Sequence, residues 1–87
     1  GWEILGFVLA SGYRRKVLLA LIEEPKTPKQ IARHTGLRIN HVSLTLKELR
    51  ERGLVECMTP ELVKGRVYVL TEYGKKLASQ LAHVAES

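Results

Sequence analysis

The sequence predicts a mainly α domain with a small β-hairpin, and three observations carry that expectation. Short amphipathic stretches follow one another from residue 2 to about residue 52, each opened or closed by a capping or turn residue. Two stretches rich in strand formers, "LVEC" and "RVYVL", then flank the loop "MTPELVKG", which holds a Pro and a Gly. From Thr71 onward the helical spacing returns, with Leu77, Leu81 and Val84 on one stripe. At 87 residues the chain makes one domain, residues 1–87. At that size folding hides only about 60–65% of the unfolded surface, so a subunit interface would help it.

The elements follow in order. Residues 2–10, "WEILGFVLA", are almost wholly apolar and read as a helix despite Gly6. Ser11 is an N-cap for "GYRRKVLLALIEE", residues 12–24, in which Val17, Leu18, Leu21 and Ile22 share a face. "EPK" breaks the chain. "TPKQ" then opens a third helix with three signals: Thr27 caps, Pro28 suits the first helical position, and Gln30 completes a Thr-x-x-Gln capping box. This helix, "PKQIARHT", ends at Gly36, which takes a left-handed backbone at little cost. A fourth helix runs from Ile39 to about Arg52, with Ile39, Val42, Leu46 and Leu49 as its buried stripe, and stops at Gly53. The two strands and their loop come next. Thr71 caps the last helix, "EYGKKLASQLAHVAE".

Fourteen Lys and Arg stand against nine Asp and Glu, a formal charge of +5. In so small a body that points to an anionic partner, nucleic acid first. The longest apolar run, "ILGFVLA", is far short of the roughly 20 residues that cross a bilayer. It has no basic leader and no cleavage site, so a cytoplasmic chain is expected. One cysteine, Cys57, permits no internal disulfide and no cysteine-rich zinc site. It alternates with Val55 and reads as a half-buried packing residue.

Two helices joined by about three residues around a glycine, with small Ala32 four residues before Gly36, form a helix-turn-helix. The small side chain lets the second helix cross closely, the glycine makes the turn, and Val42 docks the second helix. A hairpin directly after that helix is a wing, so the pattern as a whole is a winged helix-turn-helix. "TPKQIARHTGLRINHVSLTLKELRERGLVE" followed by "KGRVYVLTEYGKKL" resembles the winged-helix transcription regulators of the ArsR/MarR type, small archaeal versions above all. The resemblance covers residues 11–82. It implies a homodimer that binds double-stranded DNA and regulates transcription, with the terminal helices as dimer interface.

An α-helix fits the major groove, and helix-turn-helix proteins read base edges with the N-terminal part of the second helix. The recognition helix is therefore 39–52, and the wing, 58–66, lies on the backbone or minor groove. Asn40, His41 and Leu44 face away from the apolar stripe in the N-terminal part, whereas Glu48 and Glu51 lie at the far end. Lys29, Lys47, Lys64 and Arg66 suit phosphate contacts, which give affinity and register without sequence information. With Arg38, Ser43 and Thr45 these complete the expected DNA-contacting set. Relatives usually carry a Ser N-cap where this chain has Arg38, and often an Arg where it has Leu44. Leucine can meet a thymine methyl or another apolar group but cannot pair with guanine. The run Arg14, Arg15, Lys16 reads as a solvated turn first and as another phosphate strip second.

Apolar residues in excess of the winged core predict assembly. Trp2, Leu5, Phe7 and Leu9 at one end and Leu77, Leu81 and Val84 at the other are the expected dimer interface, within residues 2–10 and 73–85. No nucleophile–base pair, phosphate-cradling glycine loop or paired catalytic carboxylates are present, so no enzyme and no cofactor are expected. His34, His41 and His83 lack metal-ligand spacing. Metal-sensing relatives place paired cysteines in the helix that here reads "QIARHTG", so no metal is expected either. The alternative to a DNA-binding regulator is a winged module that docks a protein partner through Leu44, Leu62 and Val63. The scarcity of aromatic residues argues against single-strand or RNA binding by base stacking.

Overall fold

The computed structural model describes the backbone of residues 2–86 and the side chains of residues 2–83. Five helices and one hairpin follow in order: α1 (Trp2–Leu9), α2 (Gly12–Ala20), α3 (Pro28–Thr35), α4 (Ile39–Glu51), β1 (Val55–Cys57), β2 (Tyr68–Leu70) and α5 (Glu72–Glu86). The strands are antiparallel, with Val55 opposite Leu70 and Cys57 opposite Tyr68. This is the winged helix-turn-helix expected from the sequence.

Helix α2 is the central post, packed against α1, α3, α4 and α5. Its Val17 and Leu18 are fully buried with Ile31 of α3, Val42 and Leu49 of α4, and Leu54 ahead of β1. The terminal helices belong to the same core through Ile4 and Val8 on one side and Leu77, Ala78 and Leu81 on the other. This corrects the expectation that both ends are surplus to the winged core. Leu77 and Leu81 are 3% and 5% exposed within their own chain, because α5 lies back along α2. Phe7 is also engaged internally. The guanidinium carbons of Arg14 and Arg52 stand 3.9 and 4.1 Å from its ring centroid. Of the expected interface, Trp2 (86% exposed), Leu9 (44%) and half-buried Leu5 remain uncovered. The side chain of Val84 lies outside those described.

The basic run after Ser11 is not a solvated turn. Arg14 Nη1 donates to Phe7 O at 2.8 Å and Arg15 Nη1 to Leu9 O at 2.6 Å. Both carbonyls belong to the last turn of α1, which has no intrahelical donors for them. The two arginines thus close α1 and tie it to α2.

Helix α2 ends at Ala20, four residues before its expected end at Glu24. The N–H groups of Leu21 and Ile22 tighten onto Leu18 O and Leu19 O, both at 3.2 Å, and Lys26 Nζ takes Ala20 O at 2.6 Å. A lysine ammonium has therefore replaced the N–H that a longer helix would have supplied. The backbone of Lys26 also pairs with Tyr68, donating to Tyr68 O at 3.1 Å and accepting from Tyr68 N at 2.8 Å. That bridge adds a one-residue third strand beside β2, where the sequence shows only a break.

Candidate nucleic-acid interface

The start of α3 is built as its sequence suggests. Thr27 Oγ1 accepts from Gln30 N at 3.2 Å and Gln30 Oε1 accepts from Thr27 N at 2.8 Å, with Pro28 in the first turn. Gly36 has φ 78°, in the left-handed region, and its N–H closes α3 on Ala32 O at 2.8 Å. The chain then turns into α4, whose N-cap Arg38 makes no side-chain capping hydrogen bond.

Helix α4 buries Val42, Thr45, Leu46 and Leu49. Thr45 is a correction: at 4% exposure it cannot touch a ligand in the groove. It lies three residues after Val42 and four before Leu49, so it shares their inward stripe whatever its polarity. Ile39 is the opposite correction, 47% exposed rather than part of that stripe. The outer face presents Asn40, Ser43, Leu44 (58% exposed) and Lys47. His41 is half-buried because its ring lies against Tyr13 of α2, with centroids 4.9 Å apart and planes inclined at 39°.

The two carboxylates of α4 differ in their surroundings. Glu48 is half-buried, and both its oxygens receive the Arg14 guanidinium, Nε to Oε1 and Nη2 to Oε2 at 3.4 Å each. Its charge is matched and drawn toward α2. Glu51 is exposed at the C-terminal end. The N-terminal half of α4 therefore exposes Asn40, Ser43 and the apolar Ile39 and Leu44 without an exposed anion, with Arg38 at its N-cap.

Lys29 and Arg38 are exposed near the starts of α3 and α4, as expected, and Arg33 adds a cation on α3 that the sequence reading passed over. In the wing, Lys64 is exposed beside Val63, at 89% exposure, and Gly65 has φ 68°. Arg66 is folded back on its own loop: its Nε donates to Leu62 O and its Nη2 reaches Pro60 O at 3.5 Å. Val67 N donates to Thr59 Oγ1 at 3.0 Å and Met58 N to Val67 O at 2.7 Å, so the loop is fastened across its base. Arg66 thus braces the wing's own carbonyls, where the sequence suggested a phosphate contact. Tyr13, whose ring packs on His41, is a residue that the sequence reading missed. It lies on another helix, 28 positions before His41, and no local pattern marks it.

At the opposite end, a groove of about 530 Å³ runs between α1 and α5, lined by Trp2, Leu5, Tyr73 and Gln80 among others. Among the described residues, no group of three or more His, Cys, Asp or Glu side chains is placed to hold a metal ion. No helix among them is long and apolar enough to cross a membrane.

Residues 9–57 match the model of a family described as a helix-turn-helix domain. No curated protein is similar enough in sequence to count as a relative. Among solved structures, a MarR family regulator from Neisseria meningitidis is 30% identical, with a TM-score of 0.81 over 97% of this chain and 61% of its own. ZitR from Lactococcus lactis, in a mutant form, is 23% identical, with a TM-score of 0.77 over 87% of this chain and 53% of its own. TubR, solved bound to 24 bp of tubC from Bacillus thuringiensis serovar israelensis, is 16% identical, with a TM-score of 0.81 over 95% of this chain and 92% of its own. The chain thus spans little more than half the length of the first two.

Proposed function

The chain belongs to the helix-turn-helix domain family, with the winged architecture of the ArsR/MarR type, and we propose that it is a sequence-specific regulator of transcription that binds double-stranded DNA. The observation that carries this reading is the sorting of charge on α4. Its N-terminal half shows Asn40, Ser43 and Leu44 to solvent and no anion, Lys47 follows one turn on from Ser43, and the Arg14 guanidinium pairs with Glu48 on the flank. A major-groove helix needs hydrogen-bonding side chains at its reading end and no bare anion among the phosphates. In this reading Asn40, His41, Ser43 and Leu44 face base edges. Lys29, Arg38, Lys47 and Lys64 serve the backbone, and the wing, 58–66, follows the backbone or minor groove. The DNA-bound TubR has the same fold, and it supports the reading by fold alone. The reading includes a cytoplasmic site of action and a homodimer joined through residues 2–10 and 73–85.

The test is selection of genomic fragments by the purified protein at two salt concentrations. Enrichment of a shared sequence is expected, with affinity falling as salt rises by about 0.9 log units per log unit for each phosphate contacted. Recovery of no fragment above background at either salt would reject the proposal. A second reading rests on the exposed Leu44, Leu62 and Val63, which suit a protein partner docked on α4 and the wing. Leu44→Ser separates the two. It abolishes capture of such a partner, and on DNA it weakens contact only at positions that carry a thymine methyl.

A further inference from the structure

We infer that Tyr13 is a positioning residue for sequence readout: its ring braces His41, and with it the first turn of α4, in the orientation presented to a base edge. The inference rests on the DNA-binding reading above.

The first turn of α4 is the part of the helix with the least to hold it. Arg38 supplies no side-chain cap, Ile39 is 47% exposed, and Val42 is the first buried residue of the helix. An uncapped helix start frays, and a frayed start cannot keep a side chain aimed at one base. The Tyr13–His41 contact lies within that turn. Its centroid separation of 4.9 Å falls in the range where aromatic rings attract, with the planes inclined at 39° between stacked and edge-to-face, and the strength of such pairs is comparable to that of a helix cap.

Tyr13 is itself well founded. It is the second residue of α2, whose N-cap Ser11 accepts from Arg14 N at 3.4 Å, and α2 is anchored one turn later by fully buried Val17 and Leu18. The next residue, Arg14, binds Glu48 of the same α4, so consecutive residues of α2 grip the recognition helix two turns apart. His41 is half-buried while its neighbours Asn40, Ser43 and Leu44 are exposed. Its imidazole lies against the Tyr13 ring at an inclination of 39°, and the part of it that stays open to solvent can meet a base. Tyr13 is itself 45% exposed, so the pair borders solvent and a ligand can reach it.

The experiment compares wild type, Tyr13→Phe, Tyr13→Leu, His41→Ala and the Tyr13→Leu/His41→Ala double variant on a selected site and on a scrambled duplex. Proton NMR of the free proteins follows the His41 ring signals alongside. Tyr13→Phe keeps the ring and is expected to hold both the His41 shifts and the ratio of the two affinities. Tyr13→Leu keeps apolar bulk but loses the ring. It should move the His41 signals and lower the ratio about tenfold, within the range for one base contact, without changing affinity for the scrambled duplex. The double variant should lose no more than His41→Ala alone, since Tyr13 acts through His41. Unchanged discrimination in Tyr13→Leu, a loss in Tyr13→Phe as large as in Tyr13→Leu, or losses that sum in the double variant would each overturn the inference while leaving DNA binding intact. Wild-type protein that binds no duplex, or binds all duplexes alike, overturns the inference together with sequence-specific readout.

Discussion

A methyl group at Gly74 would fall well inside van der Waals contact with the carbonyl oxygen of Leu54. That oxygen is not free to move, since it accepts from Thr71 N at 3.1 Å. Thr71 Oγ1 in turn donates to Gly53 O at 2.6 Å and accepts from Gly74 N at 3.0 Å. Glycine here lets α5 lean directly on the backbone that enters β1. Gly74→Ala is therefore expected to destabilise the fold by about 1–3 kcal/mol through overpacking, even though alanine is the better helix former. Gly6, exposed on α1 with nothing near an added methyl, should respond in the opposite sense. Gly6→Ala is expected to stabilise by about 0.5–1 kcal/mol. Urea unfolding midpoints measure both, and the same sign of change in the two variants would reject the packing argument. The opposed errors at Thr45 and Ile39 have a similar cause. Position on the helix decided their burial, and side-chain polarity did not.

Among the elements, the wing divides its basic residues between two tasks. Lys64 is exposed at the tip, whereas Arg66 binds the carbonyls of Leu62 and Pro60 inside the loop. Lys64→Ala is expected to weaken binding to all duplexes alike and to flatten the plot of log affinity against log salt by about 0.9. Arg66→Ala should instead speed amide exchange across residues 59–67 in the free protein. An unchanged salt slope for Lys64→Ala would remove the wing tip from the interface, and unchanged exchange for Arg66→Ala would return Arg66 to the phosphate-binding set. Local chemistry was legible in the sequence wherever it sufficed. The Thr27–Gln30 box, the left-handed Gly36 and the Thr71 cap each depend on residues within four positions. What escaped depends on distant partners. The early end of α2 needs the Lys26 ammonium, and the small third strand needs Tyr68, 42 positions away. The placement of His41 needs Tyr13, and that of Arg66 depends on how its own loop folds.

For the molecule as a whole, one group of uncovered apolar side chains lies at the end formed by α1 and α5, apart from the group on α4 and the wing. Trp2 is 86% exposed at a groove of about 530 Å³ whose lining includes Leu5 and Tyr73. Leu77 and Leu81 are committed to the core, so the joint of the proposed dimer rests on Trp2, Leu5 and Leu9. Sedimentation at micromolar concentration is expected to show a dimer, and Trp2→Ala should weaken association about tenfold or more, the worth of one large buried side chain. A wild-type monomer with and without DNA would rule the dimer out, and with it two recognition helices about 34 Å apart on a palindromic site. The bridge between Lys26 and Tyr68 has a consequence for any such site. It fastens the foot of the wing to the loop between α2 and α3, and the Lys26 ammonium pins that loop to the end of α2. Wing and recognition helix are in effect two jaws of a caliper, and this bridge steadies the foot of one of them. A duplex gripped by both would have to bring its grooves to the spacing of the jaws, at a cost that varies with the stiffness of base steps that neither jaw touches.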